Sequence, residues 1–333
     1  MSRTQPRTVV LTGASAGVGR ATARLLGREG ARVGLVARDP AQLEATARDV
    51  REAGGTPLAL PLDVADADAL DAATERVEAE LGPIDVWIND AMASVFAFVR
   101  DISAEEFRRV TETTYLGTVN GTLSALRRML PRDRGTIVQV GSALAYRGIP
   151  LQAPYCGAKH AIKGFTESLL TELLHDRSNV QVTMVHLPGL NTTQFGFVRT
   201  KLPKTPRPVA PVYQPEVAAR AIVWASRHPA RRELWVGGST AITIAGTKLA
   251  PGLGDRYLAW RAVDGQQTGE RASEERLRTD YLESPVPGDR GAHGPFDDEA
   301  TDRSVQLWLT RHRRALWGTA ALALGGAGAA LRR

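Results

Sequence analysis

The stretch Thr8–Arg20, TVVLTGASAGVGR, decides how this chain reads. It opens as a nearly continuous apolar run, which suits a strand of a parallel sheet buried on both faces. It then breaks on Gly13, Gly17 and Gly19. Glycine removes the Cβ where a backbone turns sharply or comes close to a ligand. The helix that follows offers unpaired N–H groups and the positive end of its dipole, a setting for a pyrophosphate. Glycines alone would also suit a structural turn. Their place between a first strand and a helix points to dinucleotide binding.

Working outward, six more short runs read as strands: 31–38, 56–64, 84–89, 135–142, 180–189 and 232–238. Amphipathic stretches such as ALDAATERVEAELG lie between them. Strand–helix alternation kept up over about 235 residues predicts an α/β fold, a doubly wound Rossmann-type parallel sheet of about seven strands with helices on both faces. No internal repeat interrupts it. The expected division is a catalytic domain over 1–240 and a mainly helical or irregular C-terminal extension over 241–333. Within the extension, residues 239–263 can form helix, and the Pro/Gly-rich, charged run 283–304 reads as loop or linker. Residues 315–331 carry no charge and are bracketed by Arg313, Arg314, Arg332 and Arg333. As a helix this run would be about 25 Å long, short of a ~30 Å hydrocarbon core. Two readings stay open: a packed terminal helix, or a membrane-surface or marginal anchor helped by the basic flanks, Trp308 and Trp317.

Composition narrows the function. The chain has 333 residues, 43% of them hydrophobic and 23% charged, as in ordinary soluble proteins. A single cysteine, Cys156, excludes an internal disulfide and fits a reducing compartment. The polar start runs straight into a strand without an apolar leader, so a cytoplasmic location is expected, with membrane association through 315–331 the variant. Of 42 basic residues five are lysine, which leaves 37 arginines and a formal charge of +6. No zinc-ligand spacing or aromatic RNA-binding motif accompanies that charge, so neither a metal site nor nucleic acid is expected.

In APYCGAKHAI, Ala153–Ile162, Tyr155 and Lys159 stand four residues apart where a helix begins. Alone, each has a pKa near ~10 and is a poor acid or base at neutral pH. On one helical face the ammonium can lie under the phenol. That proximity is expected to lower the tyrosine pKa toward the range useful for proton exchange. Cys156 and His160 read as packing or surface positions of the same helix.

Together these pieces resemble the short-chain dehydrogenase/reductase family. The resemblance rests on the spacing TGxxxGxG from Thr12 to Gly19, on Asn89, on Ser142, on the Tyr155/Lys159 pair and on Pro188–Gly189. It covers about Arg7 to Gly238. It implies that Ser142 binds the substrate oxygen, that Tyr155 exchanges the proton, and that Lys159 also holds the nicotinamide ribose. For the cofactor it implies Gly13, Ser15, Ala16, Gly17, Val18, Gly19, Asp63, Val64, Asn89, Ala91, Tyr155, Lys159, Pro188, Gly189 and Thr192. After the second strand stand Ala37 and Arg38, and a guanidinium there suits a 2′-phosphate, so NADP is expected over NAD. Asp39, one place later, reads as a cap for the next helix.

Two departures stand out. Thr114 occupies the position of the family's relay asparagine, while Asn120 lies too far along to replace it. The family's Asn-Asn-Ala-Gly motif reads Asn89, Asp90, Ala91, Met92. After Pro188–Gly189 the resemblance implies a mobile lid, where Phe195, Phe197, Val198 and Leu202 either line an apolar pocket or pack on the domain. The expected function is an NADP-dependent oxidoreductase that interconverts a hydrophobic alcohol and a carbonyl, as a homo-oligomer. The alternative is a catalytically silent dinucleotide-binding sensor or scaffold.

Overall fold

A computed structural model describes residues 6–313. Strand β1 (Thr8–Thr12) is buried along its whole length, which is why its sequence shows no polar alternation. The chain continues through α1 (Gly17–Arg28), β2 (Arg32–Ala37), α2 (Pro40–Glu52), β3 (Thr56–Pro61), α3 (Ala67–Leu81) and β4 (Val86–Asn89). Next come β5 (Val95–Phe96), α4 (Ala104–Thr111), a π-helical turn at Glu112–Leu116, α5 (Gly117–Met129), β6 (Gly135–Ser142), α6 (Ala153–His175) and β7 (Val180–Leu187). The remainder holds β8 (Arg199–Thr200), β9 (Lys204–Pro206), α7 (Pro215–Arg227), β10 (Glu233–Trp235), α8 (Gly238–Leu249), α9 (Pro251–Arg261), β11 (Gln267–Arg271) and α10 (Glu274–Arg278).

Each of the seven expected runs supplies a strand of one sheet, in the order β10-β7-β6-β4-β1-β2-β3. All its pairings are parallel. The chain winds outward from β1 to β3, returns to β4 on the other side of β1, and winds outward again. The crevice between β1 and β4 is therefore a topological switch point, where open α/β sheets bind ligands at their C-terminal strand ends. One face is sealed by a core holding Leu26, Leu43, Val217 and Ile222. The other is sealed by Leu70, Val77, Leu126 and Leu169. Each such side chain contributes roughly 1.5–3 kcal/mol on burial, which fixes the strand ends that carry the site.

The run 283–304 is an irregular loop, one of the two readings expected, and it packs on the domain instead of standing off it as a linker. Val286, Ala292 and Phe296 are buried. The Gly17 amide donates to the Gly291 carbonyl (3.1 Å), and the Thr301 amide donates to the Val212 carbonyl (3.0 Å). Gly288 and Gly291 adopt φ of +91° and +68°, the left-handed region glycine takes without strain. These turns let the segment follow the domain surface with its backbone polar groups satisfied. The uncharged run 315–331 lies outside the described residues. Among the described residues no helix is long and apolar enough to cross a membrane.

Candidate active site

A cavity of about 690 Å³ follows the switch point, from the glycine turn past the end of β6 to the loop after β7. Gly13, Ser15, Ala16, Gly17 and Val18 line one end. Gly13 has φ +71°, and a Cβ there would lie 2.8 Å from the Ala91 amide nitrogen. The close pass of the Ala91 backbone and the left-handed φ together require glycine at this turn. Gly19 does not line the cavity, contrary to expectation. It sits behind the turn, where a Cβ would come 2.0 Å from the Gly13 carbonyl oxygen. Thr12, to which the sequence assigned no role beyond spacing, accepts hydrogen bonds from the amides of Asp90 (3.0 Å) and Ala91 (3.2 Å). It ties the turn to the β4 end.

Asn89 is also displaced from its expected role. It is buried beneath the site, where its Oδ1 accepts from Trp87 Nε1 (2.7 Å) and its Nδ2 donates to Gln139 Oε1 (2.9 Å) and Thr122 Oγ1 (3.1 Å). With its amide saturated it braces β4 against β6 and α5. Ala91 and Val64 line the cavity, as does Asp63. Asp63 accepts from the Ala65 amide (3.0 Å) and pairs with Arg109. Burial pushes this carboxyl up, but the amide and the guanidiniums of Arg109 and Arg38 outweigh it and hold the pKa below the ordinary value. Asn120, as its distance implied, faces elsewhere, donating to the Val64 carbonyl (3.0 Å).

Arg38 lines the cavity at the end of β2. Its Nη1 donates to the carbonyls of Leu282 (3.2 Å) and Glu283 (3.1 Å), and its Nη2 to that of Tyr281. The extension is therefore clipped onto the residue expected to meet a 2′-phosphate, a contact the sequence did not reveal. Asp39 also lines the cavity, but its carboxylate is engaged as the cap of α2, accepting from the Gln42 amide (2.8 Å).

The middle of the cavity carries Ser142, Tyr155 and Lys159 on one wall. Ser142 ends β6, and its Oγ accepts from the Leu144 amide (3.1 Å). Lys159 is 3% exposed. Its Nζ donates to the Val140 carbonyl (2.7 Å) and lies 5.5 Å from the centre of the Tyr155 ring. The expected lowering of the tyrosine pKa is corrected. Burial pushes the phenol up; the Ser142 hydroxyl pulls it down, and Cys156, Asp90 and Tyr281 add to the rise. The ammonium sits over the ring, bonded to Val140, and acts through space on Asp90. Burial raises the Asp90 carboxyl to about 7 against the pull of Lys159, and burial lowers Lys159 to about 8 against the pull of Asp90.

Thr114 leaves the catalytic set. Its hydroxyl accepts from the Ala93 amide (2.9 Å) and donates to the Ala93 carbonyl (3.1 Å), and it is fully buried. Within the π-helical turn its neighbour Thr113 takes the cavity-facing place, with a buried Oγ1 that has no partner among the described residues. Pro188, Gly189 and Thr192 line the far side, and the buried Thr192 hydroxyl is likewise unpartnered among the described residues. A cavity that runs from a glycine turn to Thr113 and Thr192 fits a polar, elongated ligand such as a dinucleotide.

Of the four lid residues, Phe195 and Phe197 line the cavity, and Phe195, Val198 and Leu202 pack in a cluster with Phe96 and Leu151. Ile149, Ile242 and Leu258 add to the apolar lining. Cys156 is buried, and its thiol is pushed up by that burial.

Comparison with known proteins agrees with this geometry. A family model described as short chain dehydrogenase matches residues 7–202, more than half of the chain. An uncharacterized oxidoreductase, YxnA, of Bacillus subtilis is 29% identical over 326 residues, covering 97% of this chain and 90% of its own. The ketoacyl reductase HetN of a Nostoc species is 28% identical over 83% of this chain and 96% of its own. An alcohol dehydrogenase of the archaeon Thermococcus sibiricus, solved with 5-hydroxy-NADP, superposes with a TM-score of 0.61 at 25% identity, over 70% of this chain and 96% of that one. A short-chain dehydrogenase of Streptomyces avermitilis shares the fold with a TM-score of 0.65 at 23% identity, over 79% and 98%. The chain belongs to the short-chain dehydrogenase family of oxidoreductases.

Proposed function

We propose that this protein is an NADP-dependent oxidoreductase that interconverts an alcohol and a carbonyl on a hydrophobic substrate. The observation that carries the reading is the sharing of one cavity by Ser142, Tyr155 and Lys159 and, at its far end, by the glycine turn. The glycine turn, Arg38, Asp63, Val64, Lys159 and Thr192 would hold the cofactor, which supplies the carbonyl carbon with a hydride or accepts one from the alcohol carbon. Tyr155 gives its phenolic proton to the substrate oxygen in reduction and takes one back in oxidation. A phenol held above its ordinary pKa is protonated at neutral pH, ready for the reductive direction. Ser142 Oγ donates to the same oxygen and stabilises the charge that develops there. Lys159 keeps its ammonium over the ring by its bond to Val140. Arg38 at the β2 end, with Asp39 turned into a helix cap, supports NADP over NAD. The solved Thermococcus relative with an NADP derivative supports it too. The phenylalanines and isoleucines of the lining support an apolar substrate.

Tyr155→Phe tests the reading. With a panel of hydrophobic ketones and NADPH absorbance as readout, turnover falls by at least ~10²-fold while coenzyme binding persists. Unchanged turnover would exclude the acid/base role. One observation favours the second reading, a silent dinucleotide-binding protein: the Thr114 hydroxyl is consumed by the Ala93 backbone. Coenzyme binding without turnover across the panel would select it. Exposed Leu116, Leu123 and Leu174 on and around α5 and α6 support a homo-oligomer assembled through those helices.

A further inference from the structure

We propose that the segment from Tyr281 to Asp297, outside the part of the chain that the family model matches, is a working part of the cofactor site. It roofs the glycine-turn end of the cleft, and Arg290 on its underside pairs with the pyrophosphate of the dinucleotide. The inference rests on the dinucleotide reading above and adds a residue to it.

The strap is bolted to the cleft rim along its length. Tyr281, Leu282 and Glu283 give their carbonyls to Arg38. Val286 accepts from Gln42 Nε2 (2.7 Å), and Asp289 pairs with Arg20. Gly291 accepts from the Gly17 amide (3.1 Å), and Asp297 accepts from Asn191 Nδ2 (2.9 Å). Gly294 passes so close to the loop after β7 that a Cβ would lie 2.4 Å from the Thr192 carbonyl oxygen. Between these anchors Pro285, Val286 and Arg290 line the cavity.

The partners of the nearby cations single out Arg290. Arg20 is engaged by Asp49 (2.7 Å) and Asp289, and Arg24 by Asp49 (2.7 Å). Arg38 is engaged by three carbonyls. Arg290 donates one Nη2 bond to the Pro287 carbonyl, while its Nε is buried and without a partner among the described residues. Its guanidinium lies 5.7 Å from the centre of the Phe197 ring, at the cavity edge. A cation with donors to offer beside a glycine turn is what a pyrophosphate requires, because charge-assisted bonds to phosphate are stronger than neutral ones. The pyrophosphate is common to NAD and NADP, so this contact raises affinity without selecting between them.

The test titrates full-length protein and Arg290→Ala with NADPH and with NADH. Loss of charged hydrogen bonds is expected to raise both dissociation constants about tenfold and by the same factor, with Arg290→Lys recovering part of the loss. Equal affinities in wild type and Arg290→Ala, at matched melting temperature, would overturn the pyrophosphate contact and leave the enzyme reading standing. Failure of the wild type to bind either coenzyme would overturn both. Should Arg290→Ala not fold, amide exchange on the wild type decides: NADPH must slow exchange across 287–293, and exchange unchanged by NADPH overturns the proposal.

Discussion

The wall that carries Ser142, Tyr155 and Lys159 and the strap that faces it across the cleft are built by opposite rules. On the wall, the end of β6 and the first turns of α6 hold Ser142, Tyr155 and Lys159, so that regular elements present the side chains that line the cavity. Along the strap there is almost no regular structure, and nearly every polar group that faces the domain is bonded to it, Arg290 excepted. The wall can turn these side chains to the cleft because the backbone bonds of β6 and α6 keep both elements rigid without them. The strap has no such ladder, so hydrogen bonds to the cleft rim and a few buried apolar side chains, Leu282, Val286, Ala292 and Phe296, are what hold it. Side chains meant for chemistry are held here by regular elements, and the covering segment by its contacts with the rim.

Arg38→Ala strikes the join between the two regions and carries the largest expected effect. It removes one guanidinium that serves three strap carbonyls, and charged hydrogen bonds are worth about 1.5–3 kcal/mol each before relaxation. NADPH affinity falls more than about tenfold, NADH affinity falls less, and amide exchange across 281–286 accelerates. Equal losses for the two coenzymes would make Arg38 a strap anchor alone and reject its phosphate role.

The two threonines of the π-helical turn sharpen the contrast within a single turn. Thr114→Val strips the Ala93 amide and carbonyl of their shared partner, at about 1–3 kcal/mol for each buried group left unpaired. Thr113→Val removes a hydroxyl that has no partner among the described residues, and changes stability by less than about 0.5 kcal/mol. Denaturant melts of the two variants should therefore diverge, with Thr113→Val altering KM for coenzyme instead. Melts that coincide would break the assignment of one threonine to structure and the other to the site.

These assignments show what the sequence can and cannot convey. The sheet was legible because seven apolar runs separated by amphipathic ones admit few topologies. Ser142, Tyr155, Lys159 and the glycine turn were legible because their spacing places them on a strand end, a helix face and a tight turn. Residue type was legible at Asn89, Gly19 and Thr114, but facing was not. Asn89 is saturated by Thr122 and Gln139, partners 33 and 50 residues away that no local pattern announces. Thr114 turned inward because the π-helical turn shifts the register by one residue, which brings Thr113 to the cavity. The packing of the strap was not legible for a different reason: Pro, Gly and charge are equally the composition of a solvated linker and of a segment bound through its backbone. Phe296 and Val286, apolar residues within so polar a run, were the available signal.

The smallest effect, and the most exacting test of the wall, comes from Asp90→Asn. In the folded protein the Asp90 carboxyl titrates at about 7, above its ordinary 3.8, because burial disfavours its charge. Between those values the folded state binds more protons than the unfolded one, so wild-type stability falls as pH rises from about 4 to about 7. Lys159 is displaced the other way, from 10.5 to about 8, so its contribution recovers stability as pH climbs through that interval. The amide that Asp90→Asn introduces carries no charge, which abolishes the first slope. The substitution also removes the attraction that keeps Lys159 charged, so the lysine titrates lower and the second window opens earlier. The pH profile of kcat/KM should shift its lysine-dependent limb downward with little change at the optimum, and melting temperatures should lose their decline between about pH 4 and about pH 7. A variant whose profile and melts overlay the wild type would show that Asp90 and Lys159 do not share a field, and the wall would have to be read as three independent groups.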